Sequence, residues 1–270
     1  MFVLISAGIV AALAIIAKRA QRFLPGMRKL SPARKISITA ICAAIAAVLH
    51  ILDFSIPFLA PEFYKLDFSE LPVMLCGFYL GPSAAVACEG LKILLKLLLK
   101  GTSTAFVGDF ANFAVGCSLV LPAIVIYHTK KTRTSAMVGL AAGTLVLTVF
   151  GSAFNALYLL PKFADMFMPM EALLAAGSAI HKGIDSVWSF VLFAVAPLNL
   201  IKGVSVSVGK EKLIQILPWI TIINSTGSPT DWKVNNSTII TKREDKMVIK
   251  RLSFTKEADK SLELVELPTR

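Results

Sequence analysis

The amino-acid sequence predicts an all-α integral membrane protein with a polar C-terminal tail. Of its 270 residues, 56% are hydrophobic and 17% are charged, whereas soluble globular domains carry roughly 25% charged residues. The mean hydropathy is +0.71, and the apolar residues form runs separated by short basic clusters. That distribution is typical of membrane helices joined by cytoplasmic loops. It argues against nucleic-acid binding, which the net charge of +11 alone would allow.

The N-terminal segment, residues 1–17, is an uninterrupted apolar run, and its first basic residues come after it. A secretory signal would carry its positive charge before the apolar core. We therefore expect an extra N-terminal membrane helix over residues 1–17, or a helix that only dips into the interface. A basic cytoplasmic linker over residues 18–35 is expected to follow.

Positive charges also predict the orientation of the bundle. One set of loops holds Lys18, Arg19, Arg22, Arg28, Lys29, Arg34, Lys35, Lys130, Lys131 and Arg133. The positive-inside rule places that set in the cytoplasm. The two proline-rich loops, 54–66 and 161–172, then lie outside, and the apolar side chains of the first suggest a lid on the membrane face.

The apolar run 36–53 is rich in alanine. Ala40 with Ala44, and Ala43 with Ala47, repeat at a spacing of four and leave faces with little side-chain bulk. In lipid, such a face lets another helix approach closely. That helix could belong to a partner or to this chain, and the residues alone leave both possibilities open.

Ionisable side chains interrupt the otherwise apolar stretch 64–113. They include Asp67, Glu70, Glu89, Lys92, Lys96 and Lys100. Charges inside hydrocarbon are costly unless they are paired or face a cavity. We expect Glu89 to pair with Lys92 three residues later, and Lys96 and Lys100 to extend towards the surface.

Three polar side chains lie deep in the last apolar runs, 136–160 and 184–208, namely Asn155, Asn199 and Lys202. Asn199 and Lys202 share a helix face, and Pro197 is expected to break the helix ladder just before them. This donor-rich set suits the carbonyls and hydroxyls of a neutral polar ligand. The same groups could instead hydrogen-bond between helices.

Catalytic signatures are missing from the sequence. It contains no HExxH, GxSxG or GxxxxGK[ST], its histidines are scattered, and its cysteines lie in apolar segments without CxxC spacing. It also lacks the internal repeat that many secondary transporters show. The sequence therefore predicts a substrate-binding membrane subunit that is not an enzyme and holds no metal or cofactor.

Several motifs, in order, resemble the riboflavin-specific S components of energy-coupling factor (ECF) vitamin transporters. They are KLDFSELP, GFYLGP, a Glu-x-x-Lys helix, LLLKGT, GDFANF, FNALYLLP and PLNLIKG, within residues 31–207. The resemblance implies a six-helix substrate-binding domain over residues 36–208, in a multi-pass protein of a bacterial plasma membrane. The extra N-terminal helix and the tail, residues 209–270, fall outside that pattern. We expect this polar tail to be a largely disordered cytoplasmic segment.

The resemblance also implies roles for individual residues. Asn155, Asn199 and Lys202 would hydrogen-bond riboflavin, the transported ligand. The first external loop, with Lys65, Leu66, Asp67 and Phe68, would close over the pocket, and Gly108 and Asn112 would help line it. Ala40 and Ala44 would contact a transmembrane T subunit, and two ATPase subunits would drive uptake. An S component for another vitamin and a membrane scaffold protein are the alternatives.

Overall fold

Helices make up most of the chain as far as Ser207. The computed structural model describes residues 2–24, 30–207, 234–235, 238–243, 246–251 and 264–266. The helices are α1 (Phe2–Phe23), α2 (Pro32–Ile51), α3 (Glu70–Leu80), α4 (Pro82–Lys100), α5 (Val107–Lys130), α6 (Arg133–Met166), α7 (Met170–Ser178) and α8 (Val187–Ser207). Between α2 and α3, the short strands β1 (Phe54–Ser55) and β2 (Lys65–Leu66) pair antiparallel.

Among the described residues, four helices are long and apolar enough to cross a membrane, namely α2, α5, α6 and α8. The prediction of a mostly helical protein with apolar helices long enough to cross a membrane is confirmed. Helix α4 has 19 residues but carries four charged side chains. The finer count of six helices plus one stays a prediction.

Small residues bring the helices of the bundle close together. On α6, a Cβ at Gly139 would lie 2.5 Å from the carbonyl oxygen of Ala123, and one at Gly143 would overlap the carbonyl oxygen of Leu119. Helices α5 and α6 therefore pack backbone against backbone, as small-xxx-small faces do in membranes. The core between α2, α3, α4 and α5 includes three of the four cysteines, and all four are free and buried, as the sequence predicts.

Helix α1 is longer than the predicted run 1–17, and α2 begins earlier than expected. Together they convert much of the predicted linker, 18–35, into helix. Basic residues are good helix formers, and Pro32 occupies the first turn, where its missing N–H costs nothing. Ser31 caps α2 by accepting a hydrogen bond from the backbone N–H of Arg34 at 3.4 Å.

The first helix is part of the bundle and packs against α4 and α5. Ala17 is fully buried there, in a cluster that includes Phe113 and Cys117. One turn after Ala17, the side-chain oxygen of Gln21 accepts hydrogen bonds from the backbone N–H of Ser83, at 3.0 Å, and from the Ser83 hydroxyl. Gln21 thereby satisfies a free donor in the first turn of α4.

The connection from α3 to α4 is a single glycine. Gly81 has a φ of 101°, in the region that favours glycine, and Pro82 starts the next helix. The predicted loop 161–172 is wrong, because α6 continues to Met166 and α7 begins at Met170.

Two π-helical segments explain how α6 and α8 continue past proline. They are Asn155–Leu159 and Val191–Val195, and each ends two residues before a proline, Pro161 or Pro197. The wider turn bonds Leu160 N–H to the Asn155 carbonyl. It accommodates the proline ring and its missing donor. The expectation that Pro197 breaks the ladder is therefore corrected, since α8 runs on to Ser207.

The chain divides into two compact units, Met1–Leu217 and Pro218–Arg270. The second contains β3 (Val234–Asn235), β4 (Thr238–Arg243), β5 (Lys246–Arg251) and β6 (Leu264–Glu266), paired antiparallel in that order. The prediction of a largely disordered tail over residues 209–270 is wrong for these strands, and its other residues lie outside the described ones. The β-branched residues of TIITKR were the signal for a strand.

The alanine faces of α2 give a first testable prediction. Ala43 is fully buried, whereas Ala44 is exposed. Ala43→Leu should overpack the core and lower the free energy of unfolding by about 1–3 kcal/mol. The matched Ala44→Leu change should stay within about 0.5 kcal/mol of the wild type. Thermal unfolding in detergent measures both, and equal losses would contradict the assignment of the two faces.

Candidate ligand-binding site

Six ionisable side chains meet inside the bundle, and we call them the buried ion network. Its members are His50, Asp67, Glu70, Glu89, Lys92 and Lys202. They come from α2, from the segment before α3, and from α3, α4 and α8, and none is more than 5% exposed. The predicted Glu89–Lys92 pair is confirmed, with Nζ 2.5 Å from Oε1. The rest of the network was not predicted.

Lys202 faces two carboxylates. Its Nζ lies 3.2 Å from Glu70 Oε1 and 3.5 Å from Asp67 Oδ2. Asp67 also contacts Nδ1 of His50 at 3.1 Å and accepts hydrogen bonds from the backbone N–H of Ser69, at 2.8 Å, and from the Ser69 hydroxyl. Burial opposes ionisation of Asp67, but Lys202 and His50 outweigh it and hold the pKa of that carboxyl well below its usual range.

Lys92 joins the other two carboxylates. Its Nζ lies 3.2 Å from Glu70 Oε1, in addition to the contact with Glu89, and donates to the Ser69 hydroxyl at 3.1 Å. Helix α5 approaches this group through Gly116. A Cβ there would lie 3.0 Å from Glu70 Oε1 and would overlap Glu89 Oε1. A side chain at this position would displace the carboxylates.

The two predicted asparagines meet at Gly151 on α6. Asn155 donates to the Gly151 carbonyl at 2.7 Å and accepts a hydrogen bond from the Tyr64 hydroxyl at 2.8 Å. A Cβ at Gly151 would lie 2.8 Å from Asn199 Nδ2. That amide nitrogen is buried and has no hydrogen-bond partner within the described part of the chain. Buried donors are usually satisfied, so Asn199 is open to an acceptor from a ligand.

Two groups of aromatic rings include Tyr64, which contacts Asn155, and Phe154, which precedes Asn155 in the chain. The ring pairs are Tyr64 with Phe63 (centroids 5.0 Å apart), Tyr64 with Phe190 (6.1 Å), Phe154 with Phe110 (6.1 Å) and Phe154 with Tyr158 (5.2 Å). One group belongs to the external loop and α8, and the other to α5 and α6. Flat conjugated molecules stack well on such surfaces.

The loop between α2 and α3, which the sequence predicts to be external, is held over the bundle by ion pairs and apolar contacts. Asp53 Oδ1 lies 3.0 Å from Lys100 Nζ and 3.3 Å from Lys65 Nζ. Leu66 is buried in a hydrophobic cluster that includes Phe190 on α8. Phe68 is partly exposed, and the centroid of its ring lies 6.0 Å from that of Phe54. The loop therefore covers this end of the bundle in the structure.

The remaining predicted residues lie on α4 and α5. Lys96 pairs with Asp109 at 2.6 Å, so it turns to α5 and does not extend freely to the surface as expected. Gly108 donates its N–H to the Thr104 hydroxyl at 3.0 Å. Asn112 is half-buried and lies one turn before Gly116 on the same face. The ligand-binding roles of Gly108 and Asn112 stay predictions.

Comparison with known proteins identifies related chains. The model of the family "ECF transporter, substrate-specific component" matches residues 34–208. The riboflavin transporter FmnP of Bacillus subtilis (strain 168) is 30% identical over 189 residues, which are 69% of this chain and 94% of that protein. The riboflavin transporter RibU of Staphylococcus aureus (strain TCH60) is 32% identical over 185 residues, 68% of this chain and 90% of that protein.

A solved structure described as "Structure and mechanism of the S component of a bacterial ECF transporter" superposes with a TM-score of 0.54 at 30% identity. It covers 73% of this chain and 100% of its own. The family match includes α2 through α8 and every member of the buried ion network. Helix α1 and strands β3–β6 lie outside it.

Lys92 gives a second testable prediction. Lys92→Met would leave Glu70 and Glu89 buried without their shared partner, which should cost about 3–5 kcal/mol of unfolding free energy. The control is Lys162→Met, because Lys162 pairs with Asp165 at 2.9 Å on the surface, where such pairs contribute less than about 1 kcal/mol. Denaturant unfolding in detergent compares them, and similar losses would show that the network is not an energetic unit.

Proposed function

The chain belongs to the family of ECF transporter substrate-specific components, and on that premise we propose that it binds riboflavin outside a bacterial cell for uptake. The relatives named riboflavin transporters support this ligand. The observation that carries the proposal is the buried amide of Asn199, which lies at Gly151 as Asn155 does and shares a face of α8 with Lys202. Among the described residues, no acceptor lies within hydrogen-bond distance of this amide nitrogen, so a ligand oxygen could accept its hydrogen bond.

Riboflavin matches the chemistry of this site. It is uncharged, its flat ring carries carbonyl oxygens, and its ribityl chain carries hydroxyls. Asn199 and Lys202 supply donors for the carbonyls, while the rings around Asn155 offer stacking surfaces. To turn towards a ligand, Lys202 must loosen its contacts with Glu70 Oε1, at 3.2 Å, and with Asp67 Oδ2, at 3.5 Å.

Entry of the ligand requires the external loop to move. Tyr64 occupies the acceptor oxygen of Asn155, and Leu66 closes the outer core beneath the loop. We infer that Tyr64 gives up Asn155 when the loop opens, and that Lys65, Leu66, Asp67 and Phe68 close over bound riboflavin. Asp53, at the start of the loop, pairs with Lys65 near the end of the loop and with Lys100 on α4. These ion pairs hold the base of the loop.

The exposed face of α2 is the proposed docking surface for a transmembrane T subunit. Ala40 and Ala44 are exposed, while Ala43 and Ala47 face the core. The exposed alanines form a shallow strip, and larger exposed side chains border it, namely Ile41, Ile45 and Val48. A partner helix could approach closely along this strip. Two ATPase subunits bound to the partner would supply the energy for delivery inward.

Riboflavin binding to the purified chain tests the ligand directly. The detergent-purified protein should quench flavin fluorescence with one-to-one stoichiometry. Lys202→Ala should weaken binding by about 10-fold or more, since a hydrogen bond to a charged group contributes about 1.5–3 kcal/mol. Lys182→Ala, in the exposed loop after α7, is the matched control and should bind like the wild type.

Thermal unfolding of both lysine variants separates loss of a ligand contact from loss of the fold. Unchanged affinity in a folded Lys202→Ala protein would remove Lys202 from the site. A wild-type chain that is folded but does not quench would point to another vitamin or to a scaffold protein.

The docking surface is tested by Ala40→Leu combined with Ala44→Leu. The bulkier side chains should keep a partner helix at a distance and abolish uptake into cells, while riboflavin binding in detergent stays unchanged. Ala141→Leu, an exposed alanine on α6, controls for added bulk at the lipid-facing surface. Normal uptake by the double variant would contradict this docking role.

A further inference from the structure

The buried ion network is one proton short of electrical neutrality. Its three carboxylates, Asp67, Glu70 and Glu89, face only two ammonium groups, on Lys92 and Lys202. All five are at least 95% buried, and a net charge in such an interior is strongly unfavourable. One more proton, on a carboxylate or on His50, would balance the network.

The geometry favours the Glu70–Glu89 carboxyl pair as the place for this proton. Oε1 of both residues lies over Gly116, and close carboxylates cannot readily both be ionised. Lys92 Nζ lies 2.5 Å from Oε1 of Glu89, while Oε2 of Glu89 is buried and has no hydrogen-bond partner among the described residues. Asp67, by contrast, already accepts from Ser69 and faces both His50 and Lys202.

The titratable and charged groups facing this pair come from every element around it. Asp67 before α3, Lys92 on α4, Cys117 on α5 and Lys202 on α8 face the pair directly, and His50 on α2 faces Asp67. Lys202 responds directly to the charge of the pair, because its Nζ lies 3.2 Å from Glu70 Oε1.

We propose that Glu89 is a positioning residue whose proton sets how firmly Lys202 is held by the carboxylates. With the proton in place, the network is neutral and Lys202 is free to donate to the ligand. Without it, the additional negative charge holds Lys202 against Glu70 and Asp67, so the ligand must compete for the ammonium group. This inference rests on the proposed function, in which Lys202 contacts riboflavin.

The consequence is a defined pH dependence. The form that binds best carries one more proton, so riboflavin affinity falls as the pH rises through the titration of the pair, and binding takes up a proton. Linkage of a single proton limits the change to about 10-fold in Kd per pH unit. Riboflavin itself stays uncharged around neutral pH and adds no titration of its own.

The test is riboflavin binding to the full-length, detergent-purified chain between about pH 6 and pH 8. Wild-type Kd should rise with pH. Glu89→Gln mimics the protonated acid, so it should bind with the low-pH affinity of the wild type at every pH. Asp165→Asn, at an exposed carboxylate, is the matched control and should keep the wild-type profile.

Calorimetry on the wild type, in two buffers of different ionisation enthalpy, gives the proton count without any variant. Net uptake supports the inference, and binding without uptake overturns it while the proposed function stands. A pH slope that survives Glu89→Gln, or that only His50→Gln removes, also overturns it by moving the proton elsewhere. A wild-type chain that binds no riboflavin at any pH overturns the proposed function and, with it, this inference.

Discussion

A charge in the interior of a membrane bundle has no water to solvate it, so the polar groups of this chain must satisfy one another. Lys92 and Lys202 meet that requirement by sharing Glu70, while Asp67 divides its oxygens among Ser69, His50 and Lys202. These contacts join α2, α3, α4 and α8 through a single connected set of charges. The location of the proposed ligand site follows, because Lys202 is a member of this set and also shares a face of α8 with Asn199.

Close approach of the helices is what makes so dense a set of contacts geometrically feasible. Gly116 brings the backbone of α5 against the carboxylates, and Gly151 lets Asn199 reach α6. Gly139 likewise lets the backbones of α5 and α6 approach each other closely. In a bilayer the hydrophobic effect does not drive helices together, so small residues and interhelical polar contacts carry the association. The glycines therefore allow the close helix contacts that the buried charges need in order to pair.

The features predictable from sequence were those set by local spacing. Apolar runs predicted the long helices, and three-residue spacing predicted the Glu89–Lys92 pair. The hydrogen bond from Tyr64 to Asn155 joins residues 91 positions apart, and no local pattern specifies it. His50 and Asp67 are 17 positions apart, and only the fold brings their side chains together.

Two local predictions failed for a different reason. Prolines at 61, 161 and 169 made the segments after α2 and α6 look like similar loops, yet α6 absorbs Pro161 through its π turn. In the tail, charged residues between the β-branched ones obscured strands β4 and β5. The alanine faces of α2 were equivalent by composition, and only packing distinguished the buried pair from the exposed one.

The π turns of α6 and α8 also set the rotational phase of each helix. A π turn holds one residue more than an α turn, and each residue of an α-helix advances it by about 100°. Because the wider turn still completes one full rotation, the extra residue is absorbed within Val191–Val195, and Asn199 and Lys202 keep the phase that a regular helix one residue shorter would give them. Both side chains therefore face the bundle interior only while this turn stays wide, and tightening it to an α turn with the same number of residues would rotate them about the helix axis by roughly the angle of one residue.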